Sequence, residues 1–138
     1  MKYLIDTNIC IYIMNQHPLE LIRQFNSYEV GDIGVSCITV SELQYGASKS
    51  RQKQKNQYRL NEFLVPLDIL SFTQNATVFY GEIRAELERK GKIIGQFDLL
   101  IAAHALSENR ILVTNNEKEF KRVPGLKIEN WASHNTKT

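Results

Sequence analysis

Tyr3-Leu4-Ile5-Asp6-Thr7-Asn8 is the stretch that decides the fold. Three apolar residues suit a short strand buried on both faces, and the polar triplet behind them stops it. The same design recurs outward along the chain. Asp32-Ile33-Gly34-Val35-Ser36, Leu67-Asp68-Ile69-Leu70, Ile111-Leu112-Val113 and Leu126-Lys127-Ile128 read as further strands, set off by Gly, Pro and Asn breakers. Between them the spacing predicts helices. One covers residues 18–27, with Leu19, Ile22 and Phe25 as its apolar stripe. A second is capped by Thr39 or Ser41 and runs through Leu43 and Tyr45. The longest covers 74–89, with Val78, Ile83 and Leu87 facing inward and Gly91 ending it. An Ala-rich helix covers 98–107. Strands alternating with helices predict an α/β sandwich with a mainly parallel central sheet. A single domain is expected over residues 1–131, with a frayed polar tail at 132–138.

Composition narrows the class. The chain has 138 residues, 43% apolar and 23% charged, the balance of an ordinary globular protein. Seventeen Lys plus Arg against 15 Asp plus Glu leave a formal charge of +2, so the distribution of charge, not its sum, must speak for a nucleic-acid partner. Cys10 and Cys37 are the only cysteines, outside any CxxC or Cys/His cluster. They read as two buried free thiols, which argues against a disulfide scaffold or a structural zinc site. Asp6 and Asn8 interrupt the apolar start, so it is no signal peptide, and no apolar run reaches the ~18 residues of a membrane span. The expectation is a soluble cytoplasmic protein.

Three acids occupy positions that an α/β fold would gather. Asp6 follows the first strand, Glu42 lies near the start of the helix after the second, and Asp98 opens the helix leading into the fourth. Ligands of open parallel sheets bind past the carboxyl ends of the strands. Carboxylates converging there repel unless something positive sits between them, and oxygen ligands without His or Cys favour Mg²⁺ or Mn²⁺ over zinc. Each acid also has a plain structural role: Asp6 as a turn cap, Glu42 and Asp98 as first-turn acids on a helix dipole. Spacing alone leaves both readings open.

Four blocks carry a resemblance. Leu4-Ile5-Asp6-Thr7-Asn8, Ser41-Glu42-Leu43-Gln44-Tyr45-Gly46, Asp98-Leu99-Leu100-Ile101-Ala102-Ala103-His104-Ala105, and Leu112-Val113-Thr114-Asn115-Asn116 with Phe120 and Arg122-Val123-Pro124-Gly125-Leu126 resemble the ordered motifs of PIN-domain nucleases. Within that family the chain is most similar to the VapC toxins of bacterial VapBC toxin–antitoxin pairs. The resemblance implies a PIN-like three-layer α/β/α sandwich and a Mg²⁺-dependent endoribonuclease that cuts structured RNA, tRNA foremost, leaving a 5′-phosphate and a 3′-hydroxyl. By it, Asp6, Glu42 and Asp98 match the metal-binding acids. The fourth acid of many PIN domains falls on Asn116 or Asn115, and Thr7, Asn8 and Thr114 match supporting polar positions. It further implies a homodimer and a VapB antitoxin. The antitoxin's C-terminal segment crosses the groove and can offer an Arg to the acids, and through it the complex holds promoter DNA.

Lys49, Arg51, Lys53, Lys55 and Arg59 place five cations within residues 49–59, with no acid between Glu42 and Glu62. Such a stretch can hold a phosphate backbone that the acids alone would repel, with Tyr45 and Tyr58 available to stack on bases; it is equally the make-up of a solvated helical face. Lys118, Lys121 and Arg122 form a second cluster. His17 in a loop, His104 on the Ala-rich helix and His134 in the tail are poorly placed for metal-free histidine catalysis, and His104 reads as a packed residue. Phe97 has no assignment beyond packing. Ile9, Ile11, Tyr12 and Ile13 exceed one buried helix face, so they divide between core and partner contacts. Two other readings compete. A catalytically weak PIN-like RNA-binding adaptor draws support from the missing fourth acid. A receiver-type phosphorylation domain would need an Asp ending the third strand, where Leu70-Ser71 stands.

Overall fold

Five strands pair in parallel in the order β3-β2-β1-β4-β5: β1 (Tyr3–Ile5), β2 (Ile33–Ser36), β3 (Asp68–Leu70), β4 (Ile111–Val113) and β5 (Ile128–Glu129). The computed structural model describes residues 2–132. Residues 133–138 of the expected tail, His134 among them, lie outside the described residues. Side chains alternate across the central strands as a pleat requires. Tyr3, Ile5, Ile111 and Val113 join one buried cluster; Leu4 and Leu112 join the other. Helices cover both faces. On the first lie α1 (Thr7–Met14), α2 (Leu19–Asn26), α3 (Cys37–Lys49) and α4 (Lys53–Leu64), contributing Ile9, Leu21, Leu43 and Leu60. On the second lie α5 (Gln74–Arg89) and α6 (Gln96–Glu108), contributing Ile83, Leu87, Leu99 and Ile101. The short α7 (Glu117–Phe120) buries Phe120 in the same cluster. The three-layer sandwich is present, with a sheet that is parallel throughout.

Several local expectations shift. The stripe of α2 centres on Leu21, fully buried, with Ile22 and Phe25 beside it, while Leu19 is 61% exposed. Residues spaced by three drift around a helix of 3.6 residues per turn, whereas 21, 22 and 25 stay on one face. The same geometry turns Val78 outward at 55% exposure and puts Ala76, Ile83 and Leu87 inward. Helix α3 starts earlier than Thr39 or Ser41, because Ser36 caps it by accepting the Ile38 amide at 3.0 Å; Tyr45 is exposed. Gly91 does end the longest helix, at φ +66°, with the Lys92 amide reaching back to the Leu87 carbonyl at 2.8 Å. The last strand is Ile128–Glu129, two residues later than the apolar residue Leu126 suggests. Cys10 is buried but Cys37 only half-buried, and both are free. Among the described residues no helix is long and apolar enough to cross a membrane.

Candidate active site

Strand order creates the site. From β1 the chain moves through α1 and α2 to β2 on one side; β4, reached through α5 and α6, lies on the other. The connections diverge at the carboxyl ends of β1 and β4, and this is where open parallel sheets leave a crevice. Asp6 and Thr114 are the first residues past those two ends.

Asp6 is 5% exposed and does two jobs. Its Oδ1 accepts the Ile9 amide at 2.9 Å, capping α1, so the turn-cap reading of Asp6 is correct as far as it goes. Burial nevertheless pushes its pKa up, and Glu42 adds to the rise; hydrogen bonds from the Thr114 side chain and the Ile9 amide hold it back. An acid that served only as a cap would not need a second acid beside it.

Glu42 stands in the second turn of α3, and the Thr7 hydroxyl donates to its Oε1 at 2.6 Å. The same hydroxyl lies 3.3 Å from Thr39 Oγ1. Asp98, in the first turn of α6, is raised to about 6, first by burial and then by Asp6, Glu119 and Glu42. The charged groups that act most on Asp98 are thus all acidic. Asp6 and Glu42 thus lie within electrostatic range of Asp98. Glu119 of α7 joins them, a residue that the sequence reading missed. Its one signal was its position a helical turn beyond Asn116, hidden in the charged run Glu117-Lys118-Glu119.

The supporting residues divide. Thr114 is buried, donates to Asp6 and accepts the Asn116 amide at 2.9 Å. Asn115 is taken up elsewhere: its Nδ2 lies 3.3 Å from the Tyr12 hydroxyl and its Oδ1 accepts Asn130 Nδ2 at 3.0 Å. Asn116 is half-buried and precedes α7, its backbone amide held by Thr114. Asn8 is exposed on α1, with its backbone amide toward Asp6. Phe97, expected to pack, is 55% exposed beside Asp98. Of the α1 residues, Ile9 and Ile13 are core, Tyr12 is half-buried and Ile11 is exposed.

Among the described residues no three Asp, Glu, His or Cys groups stand close enough together to be ligands of one ion. The acids lie within electrostatic range but not at ligand distance, the spacing expected of like charges with nothing between them. The donor set still fits a hard divalent cation: carboxylate and amide oxygens, no thiolate, and a pKa pattern that a positive charge would relieve.

Lys49, Arg51, Lys53 and Lys55 are all exposed on the α3–α4 hairpin, and Lys49 Nζ sits 4.9 Å from the centre of the Tyr45 ring. Arg59 differs: its Nη2 donates to the Met14 carbonyl at 3.0 Å, tying α4 to the end of α1. In the second cluster, Arg122 Nη1 is spent on the Ile93 carbonyl at 3.1 Å.

One buried acid, Asp6, and two half-buried ones, Glu42 and Asp98, at the switch point of a parallel sheet point to an acidic-centre hydrolase fold, and comparison with known proteins agrees. Residues 3–126 match the family model described as PIN domain. Ribonuclease VapC2 of Rickettsia felis is 53% identical over 137 residues, spanning 95% of this chain and 98% of the relative. The tRNA(fMet)-specific endonuclease VapC of Shigella flexneri is 41% identical over 132 residues, spanning 96% and 99%. Among solved structures, VapBC2 from Rickettsia felis bound to a DNA fragment from its promoter superposes with a TM-score of 0.90 at 51% identity, covering 95% of this chain and 99% of that one. The chain belongs to the PIN-domain family and, within it, to the VapC endoribonucleases.

Proposed function

We propose that this chain is the toxin of a type II toxin–antitoxin pair, a Mg²⁺-dependent cytoplasmic endoribonuclease that cuts structured RNA, tRNA foremost. The observation that carries the metal centre is Asp98: half-buried, raised to about 6, and acted on by Asp6, Glu119 and Glu42, with no Lys or Arg among the groups that shift it. Asp6, Glu42 and Asp98 would hold the ion, with Glu119 adding a fourth carboxylate. Asn116 would contribute a neutral amide. Mg²⁺, or Mn²⁺ in its place, supplies charge for a phosphate oxygen and a more acidic water. The chain's own residues do the rest. Thr7 fixes the Glu42 carboxylate by donating to Oε1, and Thr114 fixes Asp6 from the neighbouring strand end. Asn8, exposed at the first turn of α1, would meet the scissile phosphate or its water. Lys49, Arg51, Lys53 and Lys55 supply positive charge for the RNA backbone. An effect of Glu119 on Asp98 speaks against a catalytically weak adaptor, whose support is the missing fourth acid.

The partner reading rests on the relatives, whose structures are VapBC complexes, some of them bound to DNA. A VapB-type antitoxin would lay its C-terminal segment across the crevice, and promoter DNA would be held through it. A cavity of about 220 Å³ opens beside Glu42, lined also by Thr7, Ile11, Met14, Leu43 and Arg59 among others. Its apolar floor and acidic end suit a segment carrying an apolar residue and a cation. A homodimer completes the expected assembly. Support for tRNA comes from the Shigella relative's name, an enzyme specific for tRNA(fMet).

Brief expression followed by mapping of cellular RNA ends tests this reading. Discrete new 5′-phosphate ends in one tRNA, suppressed by co-expression of the antitoxin from the adjacent gene, are expected. An RNA population unchanged during growth arrest, or cuts scattered over messenger RNA, would contradict it.

A further inference from the structure

His104 is fully buried on α6, and no step above uses it. Its ring meets Phe72 edge-on, with centroids 5.4 Å apart. Nδ1 lies 2.7 Å from Ser36 Oγ, a hydrogen bond between residues 68 apart in sequence. Ser36 ends β2 and caps α3, where its Oγ accepts the Ile38 amide at 3.0 Å. With that acceptor role filled, the hydroxyl proton can be given to Nδ1. In that arrangement the ring's own proton sits on Nε2, which lies 4.0 Å from the Glu108 carboxylate, and the Ser71 backbone also hydrogen-bonds the ring. Burial holds the imidazole pKa below its ordinary value, so the ring is neutral and Nδ1 is free to accept.

The placement of this bond matters more than its strength. Ser36 starts the helix that carries Glu42, and His104 rides the helix that carries Asp98. Glu42 lies six residues beyond Ser36 and Asp98 six residues before His104, each about 9 Å along its helix. The acids themselves oppose the approach of the two helices, since Glu42 and Asp6 act on Asp98 as like charges. Something else must set the distance.

The geometry points to His104 as a positioning residue. Through Ser36 it fixes the spacing of the Glu42 and Asp98 helices, and so the gap that their carboxylates must span. This rests on the nuclease reading above. His104 touches neither RNA nor metal; its effect passes through the two helices.

Three variants test it. His104→Asn puts an amide oxygen where Nδ1 stands and keeps the acceptor. His104→Gln has similar bulk but places its amide nearer the position of Nε2. Ser36→Gly deletes the hydroxyl while keeping a serviceable cap for α3. Because a shift of ~1 Å at a catalytic group costs on the order of 100-fold, kcat should fall at least about tenfold in His104→Gln and Ser36→Gly. KM for RNA should stay unchanged, His104→Asn should keep most of the rate, and the double variant S36G/H104Q should be no worse than either single. A readout independent of cleavage is the imidazole ¹⁵N spectrum of the metal-free protein. It should place the proton on Nε2, with the Nδ1 signal moving in Ser36→Gly. The rise in Tm caused by Mg²⁺ alone should also shrink in the Gln and Gly variants. Equal kcat for His104→Asn and His104→Gln, full kcat in Ser36→Gly, or an Nδ1 signal indifferent to Ser36→Gly would each overturn the proposal. Should the His104 variants fail to fold, Ser36→Gly and the ¹⁵N spectrum still decide. A wild-type protein that cuts no RNA would instead sink the nuclease reading, leaving the spectrum to judge the Ser36–His104 contact.

Discussion

Asp98 carries the clearest consequence at the scale of single residues. In the folded, metal-free protein it holds its proton up to about 6, against an ordinary value of 3.8. Its folded pKa is raised, so the native state binds the extra proton between those values. Stability therefore falls as pH climbs through this window and stays lower above it. A divalent cation displaces that proton and cancels the repulsion. The rise in Tm on adding Mg²⁺ should be small at about pH 5 and reach full size above about pH 6.5. A rise independent of pH would argue against binding at Asp98. Asp6 calls for a different substitution. Asp6→Ala would lose the cap on α1 as well as the charge, at about 1 kcal/mol for the cap. Asp6→Asn keeps a capping oxygen and removes a buried charge, so it should abolish cleavage while melting no lower than wild type. A marked loss of stability would make Asp6 chiefly structural. Thr7→Val removes the donor to Glu42 Oε1 and should lower kcat about tenfold, the worth of one hydrogen bond to a charged group. Asp6, Glu42 and Asp98 stand out in the sequence as candidate acids because each abuts apolar sequence. Glu119 does not, because α7 is a single turn, too short for any periodicity.

Helices and strands were legible to different depths. The strands Tyr3–Ile5 and Ile111–Val113 coincide with the sequence reading, since three apolar residues between polar stops leave little choice. Helix faces were harder: a stripe counted in threes misplaced Leu19 and Val78, and burial followed the 3.6-residue turn instead. The start of helix α1 was hidden because its cap, Asp6, doubles as the stop of β1. Helix α3 offers a clean test of element stability. A methyl group added at Gly46 would meet nothing within 4 Å. Gly46→Ala should then stabilise the protein by about 0.4–1 kcal/mol, read in chemical denaturation. The α3–α4 hairpin offers a test of RNA contact. Neutralising Lys49, Arg51, Lys53 and Lys55 together should raise KM for RNA and flatten its dependence on salt while leaving kcat alone. An unchanged salt slope would return these lysines and Arg51 to the role of a solvated face.

At the scale of the whole molecule, the parallel sheet and its order explain why residues as distant in sequence as Asp6 and Asp98 come within electrostatic range. The alternation of strands and helices made the sandwich readable, but nothing in a linear sequence states how closely the acids approach. That gap depends on how α3 and α6 pack against the sheet, including a buried contact such as Ser36 to His104. Among the described residues, the groups that act most on Asp98 are all acidic. The account therefore stands on a divalent cation completing this centre. The most direct measurement is cleavage of a purified tRNA by the purified chain as Mg²⁺ is titrated, beside Asp98→Asn and beside an EDTA control. The account predicts cutting that saturates with Mg²⁺, stops in EDTA and is lost in a folded Asp98→Asn protein. Cutting at the wild-type rate in EDTA would contradict it.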